Sequence, residues 1–414
     1  MLDRNLLRKD PDRVREAAEA KGEPCPLDQW TDADARRREI LFESEELRRR
    51  RNELSAEVAS IKRQGGDAES QIAASRETGR KISSLEKELK GIDRRMEELE
   101  LAFPNIPDPD VPRGSNEADN RQIDAWGEPQ EPDFPARPHW ELLEGMLDTE
   151  ASGRVAGANF ALLRGRLAEL QRRLISWMCH RHAKAGMEEV WTPFVASADS
   201  MRATGQIPKL EADMYRIEGD DLYLIPTGEV PLTNIHRGRI LEESDLPMRT
   251  FGYTPCFRRE AGSYGKDTRG LNRLHQFEKV ELVWITRPED SDRAHREMTD
   301  YVCGMLRDLD IPYRVQLLCT GDLSFAAARC HDLEIWAEGQ RRWLEVSSVS
   351  NFRDFQARRG AIRFRPDSGG KPVHVHTLNG SALALPRLMA AIVENRQTPD
   401  GGFTLPEVLK GPGD

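Results

Sequence analysis

The densest run of reactive side chains lies between Phe257 and Glu281. It reads Phe257-Arg258-Arg259-Glu260-Ala261-Gly262-Ser263, then a Gly- and Lys-bearing loop, then Arg273-Leu274-His275-Gln276-Phe277 and Lys279-Val280-Glu281. A strand, a polar loop and a returning strand would gather two arginines, an aromatic ring and two carboxylates around one cleft. Such a set suits a nucleotide. Guanidinium forks match phosphate oxygens, an aromatic face stacks on a base, and Gly262, Gly265 and Gly270 let a loop come close to a ligand. On composition alone, the same run also fits a solvated charged hairpin.

Two further groupings carry chemistry. Glu345-Val346-Ser347-Ser348 sets a carboxylate and a hydroxyl three residues apart, where both could reach a Mg²⁺ ion that keeps waters and binds phosphate oxygens; an ordinary polar strand end is the other reading. His376-Thr377-Leu378-Asn379-Gly380-Ser381-Ala382-Leu383-Ala384-Leu385-Pro386-Arg387 reads as a polar strand end, a small-residue turn and an apolar helix through Glu394. Small residues at a helix start let the backbone approach a substrate, and Pro386 fits an early helical turn.

These groups need elements to hold them. Over residues 36–99, Ile82, Leu85, Leu89, Ile92, Met96 and Leu99 mark a heptad seam, and Ile40, Leu47, Leu54, Val58 and Ile61 keep the same register with Ser44 and Arg51 as polar interruptions. Gly65-Gly66 divides the two halves, which predicts an antiparallel helical hairpin with arms of about 45 Å, at about 1.5 Å per residue. The hairpin carries 16 Lys and Arg against 14 Asp and Glu in a chain of net charge -10. Arg48 to Arg51, Lys62 and Arg63 could meet phosphates, though charged helix faces are most often simply solvated. Pro104 to about Pro138 reads as an ordered or semi-rigid linker. Beyond it, a helical pattern over Leu167 to Ala185 and β-type runs at 222–225 and 280–284 alternate without βαβ regularity, which favours an antiparallel sheet with helices packed on it.

At 414 residues the chain exceeds what one core usually encloses, so two domains are expected. No apolar run approaches the roughly 20 residues of a membrane span, and the Met-Leu-Asp-Arg start lacks a signal-peptide core, so a cytoplasmic location without membrane association is expected. Cys25, Cys179, Cys256, Cys303, Cys319 and Cys330 form no C-x-x-C pair, which argues against a disulfide framework or a thiolate zinc site. The acidic balance does not exclude RNA, which needs only a local cationic face.

The arginine-bearing strand-loop-strand resembles motif 2 of class II aminoacyl-tRNA synthetases, the segment through Arg387 resembles their motif 3, and Ala185-Gly186-Met187 through Thr192-Pro193 is similar to motif 1, the dimer interface of that class. Three strings narrow the resemblance to bacterial-type seryl-tRNA synthetases: Pro226-Thr227-Gly228-Glu229-Val230-Pro231-Leu232-Thr233-Asn234, Arg258 to Ser263, and Ser350-Asn351-Phe352 with Asp354-Phe355-Gln356-Ala357-Arg358-Arg359. The likeness covers essentially the whole chain. It departs at Gly228, where alanine is common, at Val349, where cysteine is common, and at Ala382 and Pro386, where glycines are common.

The resemblance implies an α+β protein: an N-terminal antiparallel coiled-coil hairpin, then a class II catalytic domain on an antiparallel β-sheet flanked by helices. It implies a tRNA-binding domain at 1–108 with its arm at 36–99, a linker at 109–140 and a catalytic domain at 141–414. It also implies an ATP-dependent ligase that forms seryl-adenylate and charges tRNA(Ser), and tRNA(Sec) as well. ATP and Mg²⁺ are expected, a structural zinc is not, and the chain is expected to be a homodimer. By the same resemblance Arg258 and Arg387 are catalytic, and Arg258, Glu260, Arg273, Phe277, Glu345, Val346, Ser347, Ser348 and Arg387 bind ATP. Arg258 meets the α-phosphate, Arg273 and Arg387 the terminal phosphates, Phe277 with Arg387 the adenine, and Glu260 the adenine end. Glu345 and Ser348 hold Mg²⁺. Serine falls to Thr227, Gly228, Glu229, Arg258, Glu281, Asn379 and Ser381. Three rivals stand beside it: a related ligase that loads a carrier protein, against which the full-length heptad hairpin argues; a coiled-coil RNA-binding scaffold with a dead core, against which Arg258, Glu260, Glu281, Glu345, Ser348 and Arg387 argue; and an archaeal-type zinc-dependent seryl enzyme, whose pattern the sequence does not follow.

Overall fold

The computed structural model describes residues 1–261 and 269–411; Gly262, Ser263 and Gly265 of the expected loop lie outside them. The chain divides into two compact units, Met1–Glu19 with Glu23–Phe103, and Ala20–Gly22 with Pro104–Asp414.

In the first unit, α1 (Leu27–Arg63) and α2 (Glu69–Glu100) pair through a short turn in which Gly65 has φ 74°, a left-handed conformation that favours glycine. Ile40 and Leu54 of α1 and Ile82, Leu85, Met96 and Leu99 of α2 are buried, so the heptad seam is the contact surface. Ser44 is buried within it, whereas Arg51 is exposed. The helix starts nine residues before the expected position 36, because Leu27 and Trp30 supply another buried turn. Buried Asp34 and Glu100 are each matched by cations, Asp34 with Arg8 at 2.6 Å and Glu100 with Arg4 at 2.7 Å. The arginine run is laced to glutamates: Arg48 to Glu86 at 2.8 Å across the hairpin, Arg49 to Glu46 at 2.5 Å and Arg50 to Glu53 at 3.2 Å.

The second unit is built on an eight-stranded sheet. Its strands in chain order are β1 (Arg121–Trp126), β2 (Glu188–Glu189), β3 (Met248–Phe257), β4 (Gln276–Thr286), β5 (Tyr313–Leu317), β6 (Arg329–Ala337), β7 (Arg342–Asn351) and β8 (His376–Ala384). Across the sheet they run β1-β5-β6-β7-β8-β4-β3-β2, and every neighbouring pair is antiparallel except β2 with β3. Three helices cover the apolar side: α3 (Gly165–Lys184), α4 (Ser291–Asp308) and α5 (Leu385–Asn395). Leu170 and Leu174 of α3, Met298 and Val302 of α4, and Leu388 and Ile392 of α5 meet Val280, Leu282 and Trp284 of β4 in one core cluster. Successive side chains of a strand point to opposite sides, so burying 280, 282 and 284 under helices turns Lys279 and Glu281 the other way.

Two expectations change here. Residues 121–126, inside the stretch read as a linker, form the exposed edge strand β1 against β5, since a proline-rich composition does not prevent a short proline-free segment from extending a sheet. The small-residue turn expected at 379–384 is strand: β8 runs without a turn to Ala384, and α5 begins at Leu385. Small side chains fit there because α4 packs closely on the covered face, where a Cβ at Gly380 would come within 2.8 Å of the Met298 sulfur, and because the other face lines a cavity.

Leu282→Ala should lower stability by about 2–5 kcal/mol through the cavity it leaves, while Phe42→Ala on the exposed face of α1 should change it by less than about 0.5 kcal/mol; urea unfolding of the two variants measures the contrast.

Candidate functional site

On the polar side of the sheet lies a cavity of about 340 Å³. The β3–β4 hairpin supplies most of its wall. Arg258 directly follows β3, and its backbone N–H donates to the His275 carbonyl at 2.9 Å, which closes the hairpin. Its guanidinium donates to the Pro226 carbonyl at 3.2 Å and lies over the Phe277 ring at 5.2 Å, a cation–π contact that stiffens both groups. Glu260, with φ 52°, forms a tight ion pair with Arg273. The sequence reading put these two residues at opposite ends of a nucleotide; the structure pairs them with each other.

Thr227, Glu229, Asn379 and Ser381 line the same cavity, and Glu281 lies just behind its wall, fully buried. Across the sheet Glu281 faces Ser381 on one side and Gly252 on the other. Thr227 Oγ1 donates to Glu281 Oε2 at 3.0 Å, and Lys279 Nζ both donates to Thr227 Oγ1 at 2.9 Å and contacts Glu281 Oε2. Glu281 Oε1 is buried and has no hydrogen-bond partner among the described residues. Gly228 packs over this carboxylate so closely that an added Cβ would stand 2.9 Å from Glu281 Cβ.

Glu229 opens a short helix, Glu229–Asn234, and is buried. Burial, reinforced by the charge of Glu281, pushes its carboxyl up to about 7 from an ordinary 4.5. Gln356 Nε2 donates to Glu229 Oε1 at 2.5 Å, and Thr377 Oγ1 donates to Gln356 Oε1 at 2.7 Å, which fixes the way the amide faces.

On the far wall Glu345, Val346, Ser347 and Ser348 lie on β7. In a regular strand, residues three apart face opposite sides. Here the β6–β7 register shifts between Glu345 and Ser347, so Val346 is an extra, buried residue and the phase of the strand reverses. The bulge brings Ser348 Oγ to 3.3 Å from Glu345 Oε1, on one side of the strand. Two hard oxygen donors side by side at the cavity edge fit a magnesium ion that takes its remaining ligands from water and phosphate. Beside them, burial and the neighbouring Glu345 push the Asp332 carboxyl well above the usual range. Ser347 Oγ is engaged inside the sheet, donating to the Ser381 carbonyl at 2.6 Å. Arg387, in the first turn of α5, is held by the Asn272 carbonyl at 3.2 Å from Nε and the Glu345 carbonyl at 2.8 Å from Nη1.

The structure therefore gathers Thr227, Glu229, Arg258, Glu260, Arg273, Phe277, Glu345, Val346, Ser347, Ser348, Asn379, Ser381 and Arg387 around one cavity, with Gly228 and Glu281 behind its wall. Two residues with no role in the sequence reading join them, Lys279 and Gln356. Lys279 was recoverable from spacing, since it sits two residues from Glu281 on a strand and so shares its face. Gln356 comes from a distant segment, and no local signal ties it to Glu229.

Residues 210–396 match the tRNA synthetase class II core domain (G, H, P, S and T), and residues 1–107 match the seryl-tRNA synthetase N-terminal domain. Serine–tRNA ligase of Thermomicrobium roseum is 48% identical over 413 residues, spanning 99% of this chain and 93% of that protein. The corresponding ligase of Halothermothrix orenii is 48% identical over 412 residues, spanning 99% and 98%. The crystal structure of Pyrococcus horikoshii seryl-tRNA synthetase complexed with ATP superposes with a TM-score of 0.94 at 35% identity, covering 99% of this chain and 97% of that one. With the hairpin, the class II sheet and relatives of this identity along its whole length, the chain belongs to the seryl-tRNA synthetase family of ATP-dependent aminoacyl-tRNA ligases.

Proposed function

We propose that the cavity activates L-serine with ATP and passes the seryl group to the 3′ end of tRNA(Ser), and of tRNA(Sec). The observation that carries the choice of serine is Glu281 Oε1, a buried acceptor with no donor among the described residues, just behind the cavity wall. A serine hydroxyl would satisfy it, whereas alanine would leave it unpaired, and an unpaired buried acceptor costs about 1–3 kcal/mol. Thr227, Gly228, Asn379 and Ser381 complete the pocket around the amino acid, and Lys279 holds Glu281 Oε2 so that Oε1 stays presented. Glu229 is the group suited to the serine ammonium.

In this reading a serine carboxylate oxygen attacks the α-phosphorus of ATP, the bond from that phosphorus to the bridging oxygen breaks, and pyrophosphate leaves. A hydroxyl of the terminal tRNA adenosine then displaces AMP from the seryl carbonyl. Neither step needs an enzyme nucleophile; alignment and fixed cations supply the catalysis. Arg258 faces the α-phosphate and serine carboxylate, Arg273 and Arg387 the terminal phosphates, Phe277 with Arg387 the adenine ring, and Glu260 the adenine end. Arg273 is shared between Glu260 and the phosphates, so nucleotide entry exchanges one anion for another. Val346 and Ser347 form the backbone floor under the nucleotide. Glu345 and Ser348 would hold Mg²⁺, which when bound neutralises phosphate charge.

The domain reading is 1–108 for tRNA, with its arm at 36–99, joined through 109–140, of which 121–126 add the edge strand β1 to the catalytic sheet, to the rest of the catalytic domain at 141–414. A hairpin whose arginines are already paired with glutamates favours recognition of RNA by shape and backbone over a broad basic patch. The reading extends, as the family implies, to a homodimer through 185–193, a segment in which Trp191 is 74% exposed, and to a cytoplasmic location.

Glu281→Gln should reduce serine-dependent ATP–pyrophosphate exchange at least about tenfold, and should lower stability by about 3 kcal/mol because buried Lys279 loses its counter-charge; exchange at the parental rate would refute the serine pocket. Removing residues 36–99 should spare exchange and abolish charging of both tRNAs, and charging that survives would refute the arm's role. Glu229, raised to about 7, lends the ligand-free fold stability that is full below its ordinary 4.5 and is lost as pH rises through about 7. Glu229→Gln should therefore remove on the order of 3 kcal/mol of pH dependence from urea unfolding between pH 4.5 and 8. In the unaltered protein the KM for serine should rise as pH falls below about 7, because the ammonium needs the ionised form.

A further inference from the structure

A buried polar relay lies behind the wall that carries Arg387. Glu394, near the end of α5, receives four hydrogen bonds: from the His139 backbone N–H at 2.9 Å, His139 Nδ1 at 2.7 Å, Gln340 Nε2 at 2.8 Å and the Gln340 backbone N–H at 3.0 Å. The Leu271 N–H donates to His139 Nε2 at 2.9 Å, so that nitrogen is the bare one and Nδ1 carries the proton. Gly270, at φ 64°, lets the chain pass against the imidazole; a Cβ there would stand 2.1 Å from Nε2. Gln340 Oε1 then accepts from Asn272 Nδ2 at 2.8 Å, and the Asn272 carbonyl accepts from Arg387 Nε at 3.2 Å. His139 and Glu394 are fully buried in this relay, while Gln340 sits half-buried in the turn between β6 and β7.

We propose that Gln340 is a positioning residue for ATP activation: braced by His139 and Glu394, it holds Asn272 so that the Asn272 carbonyl orients the Arg387 guanidinium toward the nucleotide. The chain of contacts is specific to one substrate. Leu271 to Arg273 are the return arm of the hairpin that carries the phosphate-facing cations, whereas Glu281, Thr227 and Glu229 receive no hydrogen bond from the relay. Gln340 is suited to the task because its amide offers a donor to Glu394 and an acceptor to Asn272 at once, and those two partners dictate its orientation. Arg387 sits on the same helix as Glu394, two turns earlier, so the relay ties both ends of α5 to one loop. The proposal rests on the reading that Arg387 faces the terminal phosphates.

The test is a double-mutant cycle in the full-length protein, read by serine-dependent ATP–pyrophosphate exchange. Gln340→Met keeps the length of the side chain and removes both hydrogen bonds. It should raise the KM for ATP about five- to tenfold, the scale of one lost hydrogen bond, with the KM for serine unchanged. The effect should vanish when Arg387 is already alanine, because a residue that acts through Arg387 has nothing left to orient. Additive losses in the cycle, or an equal rise in both KM values with a lower Tm, would overturn the proposal. Should Arg387→Ala leave the KM for ATP untouched, the phosphate reading itself fails and the proposal with it; a damaged Arg387→Ala beside an unaffected Gln340→Met sinks the relay alone. Asn272→Ala, which cuts the relay from the cavity side, enters the same cycle with the same expected outcomes if Gln340→Met does not fold.

Discussion

Lys279 and Glu281 bury opposite charges on one face of a strand whose other face is hydrocarbon. Taking a carboxylate and an ammonium out of water costs several kcal/mol each, and their attraction offsets that only with close geometry and further hydrogen bonds. Thr227 provides one of these bonds, and Gly228 lies so close to the Glu281 stem that a Cβ there would stand 2.9 Å from the Glu281 Cβ. One carboxylate oxygen is nevertheless left without a donor among the described residues. A pair that served stability alone would be replaced by apolar residues at little loss, so the open acceptor points to a ligand, and the neighbouring walls are arranged to deliver one. The same burial, with the charge of Glu281 beside it, pushes Glu229 up to about 7, against the opposite pull of the Gln356 hydrogen bond, Lys279 and Arg258.

The opposite wall depends on a break in regularity. Without the bulge at Val346, Glu345 and Ser348 would point to opposite sides of β7, and no oxygen pair would face the cavity. Arg387 meets the same wall from α5 through the Glu345 carbonyl, so the strand and the helix position each other. The cavity is thus bounded by one regular strand whose alternation separates charge from core, and by one irregular strand whose bulge brings two donors together.

The helical hairpin is governed by other physics. Its seam is apolar and regular, and its outer charges neutralise one another along and across the helices. Exposed pairs of this sort add little stability, but they keep a long, thin structure soluble and its surface potential modest.

Much of this was readable from residue order. A heptad seam reports its helices directly, because only a periodic apolar stripe can bury two isolated helices on each other; clustering of charged and aromatic types marked the nucleotide segment, while the amino-acid pocket and the individual roles came from the family resemblance. Period-two spacing would also have tied Lys279 to Glu281, a link the sequence reading missed. Tertiary structure decided what local pattern cannot carry. It made the small residues at 379–384 a strand, because pairing with β4 and β7 on either side outweighs their preference for turns. It added an edge strand at 121–126, whose pairing partner lies nearly two hundred residues away. It reversed the phase of β7 by a bulge that depends on the partner strand, joined Glu229 to Gln356, and linked Glu394 to Arg387 through His139, Gln340 and Asn272. Each of these is a contact between distant segments, whose geometry is set by packing and by the need to satisfy buried polar groups rather than by the neighbours of any one residue.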